Sequence, residues 1–177
     1  REPVSPSAAR SLAPTMAAKG CILVVPPFGE EMNKSRRMIA ESMRALAAAG
    51  WASAIPDFYG TGDSEGEFRD ATPDIWLEDL RATTDWLARQ GTPVRGLLGI
   101  RLGCLLGGQL AASLRAPLER SVFWQPVTSG KQMFTQFLRL RVAASAMSEG
   151  PKETASGLQQ RLDAGEILEI PGYEVSA

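Results

Sequence analysis

The segment Gly99-Ile-Arg-Leu-Gly103 places a glycine two residues to either side of a central position, where an apolar stretch runs into an apolar helix. Small residues at those places let a strand turn sharply into a helix and lift the side chain between them above a sheet, as Gly-x-Ser-x-Gly does for a nucleophilic serine in acyl transfer. Here the lifted residue is Arg101, whose guanidinium stays protonated and cannot attack a carbonyl. It can hold an anion. Glu30 and Glu31 are the first candidates to neutralise Arg101 or to act as acid and base beside it, with Asp57 and Asp63 next. Phe28 and Gly29 stand where a loop would offer amides to a developing oxyanion, and Leu102 supplies another just after the turn. Trp124 and Gln125, at the end of a further strand, complete the candidate substrate-binding set. A buried Arg–Glu pair that closes the crevice accounts for the same charges without a ligand, because a desolvated guanidinium needs a partner either way. Cys104 is expected inside the helix and against the sheet, a poor nucleophile. Ser64 and Gly60-Thr-Gly62 read as loop structure, the rest of a phosphate-binding pattern being absent.

The elements that must position these residues are legible in the hydrophobic pattern. Cys21 to Val25 is a continuous apolar run of strand length, as in a parallel strand buried on both faces. A loop over Pro26 to Asn33 and a helix over Lys34 to Ala49 follow, with Gly50 as the stop. Trp51 to Pro56 reads as a second strand, and Asp57 to Gly66 as a turn-rich loop. Thr72-Pro73 opens a helix with a buried stripe of Trp76, Leu80, Thr84 and Leu87. The strand and turn before Arg101 come next, then the helix from Leu102 and a fourth strand over Ser121 to Trp124. This alternation predicts an α/β fold, a mostly parallel sheet with helices on both faces and ligands beyond the strand C-termini. The four post-strand loops would converge on one crevice. Lys131 to Met147 is predicted to be a lid helix, followed by a break at Gly150-Pro151, a short helix over Gln159 to Ala164 and a hairpin of Glu166 to Ile170 with Tyr173 to Val175. The expected organisation is an irregular N-terminal segment over 1–19, a core over 20–130, and a lid helix with a small hairpin over 131–177.

Composition narrows the chemistry. The chain has 177 residues, 44% hydrophobic and 22% charged, enough for one domain with a sizeable core. A formal net charge of −1 gives no reason to expect nucleic acid or an anionic membrane as partner. There is no histidine, so the usual imidazole base of nucleophilic hydrolysis is missing. Two cysteines in apolar stretches suggest buried thiols in a reducing compartment and no metal site. Without a signal-peptide pattern or an apolar run of spanning length, the reading is a cytoplasmic protein. No cofactor is expected. The partner is a small acyl or anionic molecule, with an exposed sheet edge available for pairing between copies.

Three longer motifs carry a resemblance. Pro27 to Arg37, Leu98 to Gly103, and Trp124 to Lys131 with Thr135 to Arg141 resemble the bacterial exosortase A system-associated hydrolase 2 family of the α/β-hydrolase superfamily, over roughly Gly20 to the end. The resemblance implies an α/β-hydrolase fold and an esterase-like activity on carboxylic-ester or related acyl bonds. Arg101 would orient an acidic substrate, with the Phe28, Gly29 and Leu102 amides on the oxyanion. Arg at the elbow is also in keeping with that family, whereas Pro26 departs from a common histidine there. It further implies a base and a carboxylate on later strands, which this chain is expected to lack. The alternative is a catalytically inert binding or accessory protein of an exopolysaccharide or protein-sorting system.

Overall fold

A computed structural model of the chain describes residues 9–12, 18–147, 152–170 and 172–176. Four parallel strands form the sheet: β2 (Cys21–Val25), β3 (Ala52–Pro56), β4 (Val94–Ile100) and β5 (Arg120–Trp124). Ala9–Leu12, in the stretch expected to be irregular, is a strand, β1, and pairs antiparallel with β3. The spatial order is β1-β3-β2-β4-β5, which puts β2 and β4 at the centre.

Alternation along the strands divides the core between two faces. Leu23, Val25, Ala54 and Leu97 pack with Trp76, Leu80 and Leu87 of α2 (Pro73–Arg89) and Leu106 and Leu110 of α3 (Leu102–Ser113). On the other face Val24, Ile55 and Ile100 meet Ile39 and Met43 of α1 (Glu30–Ala48). A third cluster lies outside the sheet. It joins Phe137 and Leu138 of α4 (Gly130–Ala146) to Leu158 and Leu162 of α5 (Ala155–Asp163) and to the antiparallel hairpin β6 (Leu168–Ile170) and β7 (Tyr173–Val175). Phe28 and Phe68 pack against it from the core.

Three details differ from the sequence reading. Helix α1 begins at Glu30 rather than Lys34, because Gly29, at φ 54° and ψ −129°, turns the chain at once. Both glutamates therefore sit in the first helical turn, where the dipole favours anions. The buried face of α2 holds Asp79 and Thr83, with Thr84 only half-buried. The polar pair is accommodated because Asp79 Oδ2 accepts from the Tyr59 amide at 2.8 Å and Thr83 donates to the Asp79 carbonyl at 2.8 Å. Helix α5 starts at Ala155 rather than Gln159, because the Thr154 side chain caps it there by accepting from the Gly157 amide; β5, at one edge of the sheet, is exposed along its whole length.

Candidate active site

The sharp turn at the end of β4 has the geometry that the glycines imply. Arg101 takes φ 54° and ψ −116°, a region that L-residues seldom enter, and α3 starts at the next residue. A Cβ on Gly103 would lie 2.1 Å from the Val25 carbonyl oxygen, and one on Gly99 would lie 2.9 Å from the Cys104 Cα. The close approach of helix to sheet thus requires both glycines. Arg101 N–H donates to the Trp124 carbonyl at 3.1 Å, and its carbonyl accepts from the Cys104 amide at 3.0 Å.

The guanidinium turns toward α1. Its Nε donates to Glu31 Oε1 at 3.1 Å and Nη1 to the Gln125 carbonyl at 3.4 Å. The pair is about one-third exposed on the arginine side and 43% exposed on the glutamate side, so it is partly screened by water. The other glutamate goes elsewhere. Glu30 Oε2 accepts from Asn33 Nδ2 at 3.0 Å, and the same amide reaches the Tyr173 hydroxyl of the hairpin at 3.1 Å. Burial, and then the charge of Glu30, raise the pKa of Tyr173 above its ordinary value. The Cys104 thiol lies 3.7 Å from the Trp124 carbonyl, and burial raises its pKa despite the charge of Arg101 nearby. The Cys21 thiol is pushed up to about 11 by burial. Neither is held as a thiolate, and both are free.

Beside the elbow, a cavity of about 400 Å³ opens beyond the C-termini of β2 and β3. Phe28, Gly29, Asp57 and Leu102 line it, and Gly172 and Tyr173 reach it from the hairpin. Part of its wall is aromatic: the Phe28 ring centroid lies 5.4 Å from that of Phe68 and 5.7 Å from Trp76, and Phe137 packs against Phe28 at 4.8 Å without lining the cavity. Among the described residues the amides of Phe28 and Leu102 have no hydrogen-bond acceptor. Asp57 is bound up in its own loop, since Asp63 N–H approaches its Oδ2 at 3.4 Å and Ser64 Oγ donates to its carbonyl at 2.7 Å. A Cβ on Gly62 would meet the Asp57 carboxylate at 2.5 Å.

The candidates therefore fall into two groups. Phe28, Gly29, Leu102 and Asp57 share the cavity, whereas Arg101 and Glu31 form a pair beside it and line none of its wall. Trp124 is not a wall of the cavity either: its indole is 42% exposed and borders a groove with Leu98 and Val122 near α1. Gln125 contributes a backbone carbonyl, on the strained side of φ at 47°. Phe68, Trp76 and Tyr173 escaped notice as site residues because no local spacing links segments so far apart in sequence.

Residues 8–148 match the X-Pro dipeptidyl-peptidase (S15) family. The chain belongs to that family. Comparison with curated proteins finds no match. Among solved structures, this S15-family chain resembles Est1E from Butyrivibrio proteoclasticus with ferulic acid bound, at TM-score 0.67 and 20% identity over 95% of this chain and 62% of that one. The α/β hydrolase GrgF from Penicillium sp. sh18 follows at TM-score 0.58 and 16% identity, over 87% and 57% of the two chains. Proline iminopeptidase from Mycobacterium smegmatis gives TM-score 0.52 and 18% identity, over 88% and 50%. The fold is the α/β-hydrolase fold. This S15-family chain spans less than two thirds of the length of each of these three structures. No helix among its described residues is long and apolar enough to cross a membrane.

Proposed function

We propose that this S15-family chain binds a small acyl compound in the cavity under the hairpin, with Arg101 locking the elbow rather than attacking the ligand. The observation that carries this reading is the Arg101 side chain itself. It occupies the nucleophile position, is already bonded to Glu31 at 3.1 Å, and has no chemistry by which to form an acyl intermediate. The Phe28 and Leu102 amides are the groups that would hold the ligand's carbonyl oxygen.

A second reading, hydrolysis of a carboxylic ester or related acyl bond, is favoured by those same two amides and by membership of a peptidase family. Water would then be the nucleophile, and Glu31 or Glu30 its base. The resemblance to the exosortase-associated hydrolases supports a bacterial role beside exopolysaccharide or protein-sorting machinery, and two buried free thiols are in keeping with a cytoplasmic one. Pairing of copies through β5 belongs to the same proposal.

The assay uses p-nitrophenyl acetate and Ala-Pro-p-nitroanilide, with calorimetric binding of a non-hydrolysable ketone analogue of the ester in parallel. Ligand binding without turnover above the blank is expected, with binding kept in Arg101→Ala. Turnover that disappears in Glu31→Gln would favour the hydrolytic reading and sink the first.

A further inference from the structure

We infer that the crevice takes an amphipathic acyl compound, its carbonyl at a wall shared by two chambers, its polar part in one and its apolar part in the other. The inference rests on the acyl-binding reading above and adds the class of ligand.

A second cavity of about 320 Å³ lies on the far side of Phe28, Phe68, Trp76 and Leu102, all of which also border the first. The two spaces differ in chemistry. Asn33, Arg36, Thr61 and Glu67 give the first chamber hydrogen-bonding and charged groups. The second is walled mainly by Ala71, Pro73, Met133, Phe134 and Val175; of its charged groups, Lys131 is exposed, and Arg69 borders both chambers and is paired with Glu174. Both sizes fall in the range of small-molecule sites.

The partition carries the argument. Phe28 and Leu102 both carry unengaged amides, and both residues border the two chambers. A carbonyl polarised there has two substituents that must leave in different directions, one into each space. Solvation assigns them: a polar group placed in the second chamber would give up water for few replacement bonds, and an apolar one placed in the first would strip water from Arg36 and Glu67. Helix α4 supplies Met133 and Phe134, so the lid elements set the room available to the apolar part.

Isothermal titration calorimetry of the whole chain with monoacylglycerols from acetyl to octanoyl tests the assignment. These probes carry a neutral polar head and a graded tail. Affinity should rise by at least about tenfold from butanoyl to octanoyl, given the gain from each buried methylene. Met133→Trp, which fills the apolar chamber, should erase that gain, so that the octanoyl-to-butanoyl affinity ratio falls to about one. Phe134→Ala, which enlarges the chamber, should move the optimum to longer tails and serves as the second readout should the tryptophan variant not fold. Binding that is independent of tail length, or a gain that survives in Met133→Trp, would overturn the two-chamber assignment while leaving acyl binding intact. No binding of any monoacylglycerol would overturn both.

Discussion

Arg101 has a backbone cost as well as a charge. At φ 54° and ψ −116° it holds a conformation that glycine adopts freely and L-residues reach at a cost of about 1–3 kcal/mol. Its bonds to Glu31 and the Gln125 carbonyl offset part of that cost, though at this exposure an ion pair contributes only up to about 1 kcal/mol. Comparing two substitutions separates the terms, since Arg101→Gly and Arg101→Ala both lose the pair and only the first relieves the backbone. Urea denaturation should find the glycine variant more stable than the alanine one by about 1–2 kcal/mol after the chain entropy of glycine is subtracted. Equal midpoints for the two would contradict a strained elbow. The glycines on either side were readable as a motif because the turn constrains them locally: Gly99 has no room for a Cβ against the Cys104 Cα, and the remote Val25 carbonyl adds the same demand at Gly103. Glu31 as the partner of Arg101 was one candidate among several, since neither spacing nor composition fixes the phase at which α1 begins.

The lid elements show how short segments are held without a large core. Thr154 caps α5 by accepting from the Gly157 amide at 3.1 Å. Glu153 accepts from Arg141 Nε at 2.8 Å and Nη2 at 2.9 Å and from Arg161 Nη1 at 2.8 Å, and Arg161 continues to Glu166. Arg141 also donates to the Glu169 carbonyl at 2.9 Å, which ties α4 to β6. The hydrogen bonds from Arg141, more than any other cause, hold the Glu153 carboxyl below its ordinary pKa. A depressed carboxylate contributes stability that is present above its unfolded value, about 4.3, and is lost as pH falls through the lower folded value. Hydrogen-exchange protection factors in β6 and β7, taken against the intrinsic rate at each pH, should thus be constant from neutral pH down to about 5 and should fall below about 4. Glu153→Gln should show the faster exchange already at neutral pH, and protection equal to wild type in that variant would remove the network from the account. The hairpin and helix were visible as separate patterns in the sequence. Their joint placement over the cavity was not, because the contacts that dock them, Tyr173 with Asn33 and Phe68 and Arg69 with Glu174 at 2.7 Å, join residues remote in sequence.

For the molecule as a whole, β5 is the strand whose sequence and surroundings disagree. Val122, Phe123 and Trp124 are 56%, 45% and 42% exposed, yet such apolar character on both faces belongs to strands with neighbours on each side. Arg120–Trp124 has neither a proline nor a bulge to protect the edge, and its one charged residue, Arg120, stands at the end of the strand. In an antiparallel pairing of two copies centred on Val122, Arg120 of one copy faces Trp124 of the other, a favourable cross-strand match. Light scattering should find a mass above the 19.0 kDa of one chain at high concentration, and Val122→Lys should return it to that value. A monomer at every concentration would dispose of edge pairing.

The sequence alone determined the order of strands and helices from Cys21 onward, the mostly parallel sheet, and the elbow with arginine at its centre. Those features follow from side-chain periodicity, from capping and from the volume of a Cβ, all of which act within a few residues. Only the tertiary structure decided that Arg101 pairs with Glu31 beside the cavity, that Trp124 faces away from it, and that Phe28 and Leu102 border two chambers. Such outcomes depend on the packing of α1, α4 and the hairpin against the strand ends, where contacts between distant segments select one arrangement among many that local preferences permit.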